Sequence, residues 1–209
     1  MSTNKKITVT FALTLAAVLA VGVARYYFLP KTHFTLEQRN FLRAKGNPKA
    51  SVWIVEYLDF QCSICRETTK TLKNYLSTHG SESYFQLRYY PLNKHRYGLK
   101  TAIYAECAAR QGQFWPYHDI LFEKQEEWGT AAPENVDALL TGYAKAIPAS
   151  MKPYLACVEN PETKETIFQE IQAAKKAGVS GTPTFFINGE MAVGPAALDE
   201  ALKRGEAKK

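Results

Sequence analysis

The grouping of apolar and polar positions along this chain predicts its elements. Residues 7–24 run without a charge. Residues 31–47 are mixed and polar, with a short helix predicted over 35–43 and a turn at Gly46-Asn47-Pro48. Val52-Trp53-Ile54-Val55-Glu56-Tyr57-Leu58 is rich in β-branched and aromatic residues and reads as a buried strand interrupted by one acid. A helical pattern begins at Cys62, with Ile64, Leu72, Tyr75 and Leu76 on one side and Gly80 as its stop. Residues 84–90 form a second strand pattern, ended by Pro91. From about 97 to 177 the sequence is helical, punctuated by Pro116, Pro133, Pro148, Pro153 and Pro161, several at positions suited to a helix start. Residues 184–187 read as a strand, Asn188-Gly189 as a hairpin turn, 190–193 as the paired strand, and 195–204 as a closing helix. This order predicts one α/β domain over 48–209. Its helical insertion at 97–177 is longer than an ordinary crossover.

Composition narrows the class. The 209 residues are 46% hydrophobic and 22% charged, enough for a real core and unlike a disordered chain. Four Cys are too few for a small disulfide-stapled scaffold. Net charge is +6, but residues 31–209 hold 23 basic against 20 acidic side chains, dispersed and without aromatic interleaving. That argues against nucleic acid as a partner. At the N-terminus, residues 1–30, Lys5 and Lys6 precede the 18 uncharged residues of 7–24. A spanning helix needs about 17–25 residues and a signal peptide's apolar region about 7–15. Tyr26-Tyr27-Phe28 suits a membrane interface, with Arg25 able to snorkel. Ala20-Val21-Gly22 and Gly22-Val23-Ala24 are small-x-small cleavage patterns. Two readings stand: a retained single-pass anchor followed by a linker over 31–47, or a cleaved signal. Both export the chain to an oxidising space.

Candidate chemistry centres on Cys62-Ser63-Ile64-Cys65 at a strand-to-helix junction. Free N–H groups and the dipole at a helix start stabilise an anion, so the Cys62 thiolate is favoured. Cys65, one turn on, is placed to close a disulfide with it and to resolve a mixed disulfide. Glu56, six residues before Cys62, is either a buried acid of raised pKa, able to exchange protons with Cys65, or a surface residue of an edge strand. A zinc site is disfavoured. Neither Cys107 and Cys157 nor His33, His79, His95 and His118 have ligand spacing, so no metal or organic cofactor is expected. Gly181-Thr182-Pro183-Thr184 opens the third strand with a proline whose isomer is open at this point. Phe114-Trp115 reads as lobe core, and His118 as a structural hydrogen-bonding residue more than a catalytic one. Cys107 and Cys157 are either two small hydrophobes or a bonded pair.

Glu56, Phe60-Gln61-Cys62-x-x-Cys65 and Gly181-Thr182-Pro183-Thr184-Phe185-Phe186 together resemble the thioredoxin superfamily. More narrowly they resemble its DsbA-like branch, which carries an inserted helical domain. Gly46-Asn47-Pro48-Lys49-Ala50, Tyr90-Pro91-Leu92 with His95, and residues 105–122 fit the same branch, so the resemblance covers about 46–204. It implies a thioredoxin-like fold, with Cys62 as nucleophile, Cys65 as resolving thiol and Glu56 as the buried acid. It implies that Pro183 is cis and packs against the disulfide, that Thr182 and Gln61 line the substrate groove, and that Cys107 and Cys157 form a second disulfide. The implied activity is extracytoplasmic thiol–disulfide exchange with client proteins. Reoxidation would come from a membrane partner of the DsbB or vitamin K epoxide reductase type. The expected location is the bacterial inner membrane with the domain facing the periplasm or cell exterior, or a soluble periplasmic or secreted form after cleavage. With no sizeable segment before 46 for dimerisation, a monomer is expected. Ser63-Ile64 is neither the Pro-His of the family's strongest oxidants nor the Gly-Pro of thioredoxin. An oxidase is favoured. A reductase or isomerase kept reduced by a membrane carrier, or a non-catalytic assembly module, are the alternatives.

Overall fold

The computed structural model describes residues 42–207, with side chains to Arg204. The apolar segment 7–24, the aromatic trio after it and most of the helix expected over 35–43 lie outside the described residues. Among the described residues no helix is long and apolar enough to cross a membrane.

Among the described residues five strands form one sheet: β1 (Ala44–Gly46), β2 (Val52–Leu58), β3 (Ser83–Tyr89), β4 (Thr184–Ile187) and β5 (Glu190–Val193). Their order is β1-β3-β2-β4-β5, with β2 and β3 parallel and the other pairs antiparallel. The β-branched run of β2 takes the centre, so Val52, Ile54 and Leu58 are buried and Glu56 goes inside with them. Helix α1 (Ser63–His79) connects β2 to β3. Its Leu72 packs under the sheet, but Ile64, read as part of the same apolar side, is 44% exposed beside the Cys pair. The hairpin between β4 and β5 uses Asn188 and Gly189, both at positive φ, as a two-residue turn requires. Asn188 also pins the hairpin to β2, accepting from Trp53 N at 2.8 Å.

The insertion is a lobe of six helices: α2 (Gly98–Ala109), α3 (Phe114–Glu123), α4 (Gln125–Gly129), α5 (Pro133–Lys145), α6 (Met151–Glu159) and α7 (Pro161–Lys176). Prolines open α5 and α7, where the missing N–H costs nothing, and the Asn160 side chain caps α7 by accepting from Glu162 N at 2.9 Å. Tyr117, Leu121, Trp128, Leu140 and Tyr154 fill the lobe core, which continues to Leu87 and Tyr89 on the sheet. A second core, with Val52, Phe85, Phe185 and Leu198, includes residues of the closing helix α8 (Gly194–Ala207). Cys107 of α2 and Cys157 of α6 are joined by a disulfide.

The segment read as a linker over 31–47 needs correction at its end. Ala44–Gly46 is an edge strand on β3, and Arg43 before it is fully buried. The Arg43 guanidinium lies 4.2 Å from the Tyr89 ring centroid and donates from both terminal nitrogens to Glu170 of α7. Its Nε stands 3.6 Å from Glu106 of α2, and Glu170 also accepts from Tyr89 N at 2.9 Å. Burial opposes the charge on Arg43, but Glu170, Tyr89 and Glu106 together hold its pKa above the ordinary value. This cluster ties the entry to β1, the strand β3 and two lobe helices in one buried polar knot.

Arg43→Leu keeps the volume but leaves the buried Glu170 carboxylate without its cation and Glu106 with Arg110 alone, so stability to urea should fall by about 3–5 kcal/mol. An unchanged urea midpoint would show that the knot contributes nothing. Replacing Cys107 and Cys157 together by Ala frees a loop with a sequence separation of 50. That should lower stability by up to about 4 kcal/mol, read as a lower Tm, and leave exchange at Cys62 intact. Loss of exchange in a folded double mutant would instead make the pair a second redox centre.

Candidate active site

The site grows from the end of β2. Asp59 follows the strand and is buried, and its Oδ1 accepts from Gln61 N at 2.8 Å, a side-chain turn two residues wide. Its Oδ2 accepts from Leu92 N and from His95 Nδ1, both at 2.7 Å, which draws the loop after β3 against the turn. Gly98 completes this contact, because a Cβ there would stand 2.7 Å from Asp59 Oδ2. The Gln61 Oε1 accepts from Tyr97 N at 2.7 Å. Gln61, expected to line the substrate groove, also braces the loop after β3 through this bond.

Cys62 falls at the N-cap of α1, where no side chain caps the free N–H groups. Its Sγ lies 3.5 Å from Thr182 O, on the loop that holds the Thr182–Pro183 cis peptide. Cys65, one turn on, is fully buried, and both thiols are unbridged. Their acidities move apart. Cys62 is lowered to about 5, chiefly by a hydrogen bond from Cys65; burial works against this, and Thr182 and the N–H groups of Cys65 and Ile64 support it. The Thr182 hydroxyl is buried without another partner. Cys65 is pushed well above the ordinary thiol value by burial, then by donating to Cys62, then by the charge of Glu56.

Glu56 is 1% exposed on the central strand, and its Oε1 is buried without a hydrogen-bond partner. The position is central, so the edge-strand reading of Glu56 is excluded. Burial raises its pKa to about 8, with Lys45 pulling down and Cys62 pushing up. A narrow cavity of about 10 Å³ adjoins it, lined among others by Lys45, Lys73, Trp115, His118 and Asp119. The Lys45 ammonium lies 3.9 Å from the Trp115 ring centroid. His118 is buried in an aromatic box that includes Phe60, Phe114, Trp115 and Phe122, and its Nδ1 donates to Asp119 at 2.9 Å. Thr182 also borders a cleft of about 410 Å³, lined by Leu92, Lys94, Ile171, Lys175 and Gly181 among others.

Sequence reasoning singled out the Cys pair, Glu56 and the Thr182-Pro183 loop, and the structure brings the Cys pair together with both. It did not single out Asp59, Lys45 or Gln125. Asp59 carried a usable signal, an acid three residues before the Cys62 that starts the helix motif. Lys45 and Gln125 carried none, since their partners lie on other elements.

Comparison with known proteins gives a consistent picture. The thioredoxin family model matches residues 42–204. The chain is 34% identical over 152 residues to Na(+)/H(+) antiporter NhaA 3 of Salinispora tropica, covering 72% of this chain and 22% of that protein. It is 30% identical over 167 residues to the NhaA antiporter of Herminiimonas arsenicoxydans, covering 77% and 25%. This chain thus spans about a quarter of the length of those relatives. Among solved structures, Wolbachia pipientis alpha-DsbA2 superposes with a TM-score of 0.67 at 18% identity, over 83% of this chain and 91% of that one. Oxidised BdbD of Bacillus subtilis gives 0.66 at 19% identity, over 79% and 91%.

At pH 7 a buried acid of pKa about 8 stays protonated while the unfolded chain has released its proton, so Glu56 lowers stability as pH rises from about 4.5 to 8. Glu56→Gln removes that penalty. Its stability should match wild type near pH 4 and exceed it by up to about 3 kcal/mol at pH 7. Thiol exchange should slow near neutral pH. Identical pH profiles for stability and exchange would deny Glu56 its protonation role.

Proposed function

Since this chain belongs to the thioredoxin family and shares the DsbA-like architecture, we propose that it is an extracytoplasmic thiol–disulfide oxidoreductase that forms disulfides in client proteins. The observation that carries this reading is the Cys62 sulfur at the start of α1, acidic at about 5, above a buried and weakly acidic Cys65. A stabilised thiolate stabilises the dithiol form, which makes the Cys62–Cys65 disulfide a willing electron acceptor.

The chemistry follows from the groups present. A client thiolate attacks Sγ of Cys62 in the disulfide; the S–S bond breaks and Cys65 leaves as a thiolate. Protonated Glu56 supplies the proton that Cys65 needs, as its raised pKa permits. The client's second thiolate attacks the client sulfur of the mixed disulfide, and Cys62 departs as a stable thiolate. Two electrons have passed from client to enzyme, and the client holds a disulfide. The Thr182 main chain and the cleft beside it offer the client segment a path past Cys62, with Lys94 and Lys175 at its border. Reoxidation is assigned to a quinone-linked membrane partner of the DsbB or vitamin K epoxide reductase type. The apolar segment 7–24 would serve as anchor or export signal, and the Cys107–Cys157 disulfide suits an oxidising compartment.

The reduction potential of Cys62–Cys65 tests the direction. Thioredoxin, with a Cys pKa of about 7, lies near about −270 mV, and DsbA, at about 3.5, near about −120 mV. A Cys62 acidity between the two points to a potential between them, so equilibration with glutathione should give a value clearly above that of thioredoxin. A value below about −240 mV would favour the reductase reading.

A further inference from the structure

Two main-chain carbonyls of the active-site turn accept hydrogen bonds from α4 of the helical lobe, and one side chain makes both. Gln125 of α4 is 6% exposed, and its Nε2 donates to Phe60 O at 2.7 Å and to Cys62 O at 3.0 Å. Trp128, three residues on, fixes α4 in the lobe core; it is 0% exposed and its Nε1 donates to Leu121 O at 2.7 Å. From the opposite side, Cys62 N donates to Asp59 O at 3.0 Å. The Cys62 main chain is therefore held at its nitrogen by the strand end and at its carbonyl by the lobe.

We propose that Gln125 is a positioning residue: through it the inserted lobe fixes the Cys62 main chain so that the sulfur stays on the first turn of α1. Within α1 the Cys62 carbonyl accepts from Arg66 N at 3.3 Å, a long backbone bond that leaves room for a second donor. The Gln125 amide is that donor. Cys62 sits at ψ 117°, the torsion that sets its carbonyl and, with it, the direction of the next N–H groups relative to Sγ. Those N–H groups are among the causes of the low Cys62 pKa. A freed carbonyl lets the turn relax and weakens their hold on the thiolate. The positive end of the amide also faces the site, so removing it acts in the same direction, and a carboxylate in its place acts more strongly.

This inference rests on the reading of Cys62 as nucleophile, and the test separates the two. Reduced full-length protein is alkylated with iodoacetamide across pH, the labelled Cys is located by peptide mapping, and Tm is recorded in parallel. Gln125→Leu should raise the Cys62 midpoint by about half a unit or more, an alkylation rate at pH 5 lower by about twofold or more. Gln125→Glu should raise it further. Should Gln125→Leu fail to fold, Gln125→Asn, too short to meet both carbonyls, should shift the midpoint the same way. Variants that fold, with lowered Tm or not, and keep the wild-type midpoint would make Gln125 merely structural and overturn the proposal. Labelling of Cys65 ahead of Cys62 in wild-type protein would overturn the nucleophile reading itself.

Discussion

The Asp59 carboxylate, buried at the end of the central strand, accepts hydrogen bonds from Gln61 N, Leu92 N and His95 Nδ1, and the geometry of the site hangs on those three bonds. One ties down the turn after β2 and two hold the loop after β3, all on the same two oxygens. In a buried setting, a carboxylate so used is far costlier to disturb than to keep. With the turn fixed, Cys62 must fall at the N-cap of α1 and Cys65 must point inward one turn later. Gly98 is drawn tight over Asp59, which starts α2 and so the whole inserted lobe at a set distance from the Cys pair. The same constraint therefore places the reactive sulfur and the root of the domain that braces it.

Within that frame, three acids close in sequence are driven to opposite states by their surroundings alone. Cys62 has helix N–H groups and a thiol donor; Cys65 and Glu56 have burial and each other's company. The division suits exchange chemistry. In the exchange we propose, the better leaving group is the acidic sulfur, and the sulfur that collects a proton has a buried acid to supply it. Lys45, itself lowered by burial, moderates Glu56 from the far side, so the acid is neither locked protonated nor ionised at rest.

Local patterns were legible in the sequence; tertiary partners were not. The β-branched run of β2, the Cys spacing at its end and the Asn188-Gly189 turn each carry their meaning within a few residues. Burial of Glu56 could be posed as one of two cases, and the strand order decided it, since a central strand has no solvent face once helices cover both sides. Ala44-Lys45-Gly46 has no strand signature. It pairs with β3 because Arg43 next to it is pinned by Glu170 and Glu106, more than 60 residues away in the chain. The bracing role of Gln61 was not legible, since its partner Tyr97 N comes within reach only after the loop folds back. Ile64 was misplaced: helical periodicity put it with Leu72, but it stands exposed beside the Cys pair while Cys65 turns inward.

Those failures share a cause that also explains the insertion. A turn that presents a reactive sulfur must remain open on one side, so it cannot be stabilised by burial all round. Its support has to come from behind and from the flank. Behind it lies the sheet, with Asp59 and Glu56. On the flank lies the lobe, whose Gln125 reaches the turn and whose own rigidity is supplied by Trp128, the Arg43 knot and the Cys107–Cys157 bond. A minimal β2–α1 crossover offers no side chain in that position. The lobe's large apolar core, far more than is needed to connect β3 to β4, makes physical sense as the rigid anchor for a few hydrogen bonds that hold one cysteine in place.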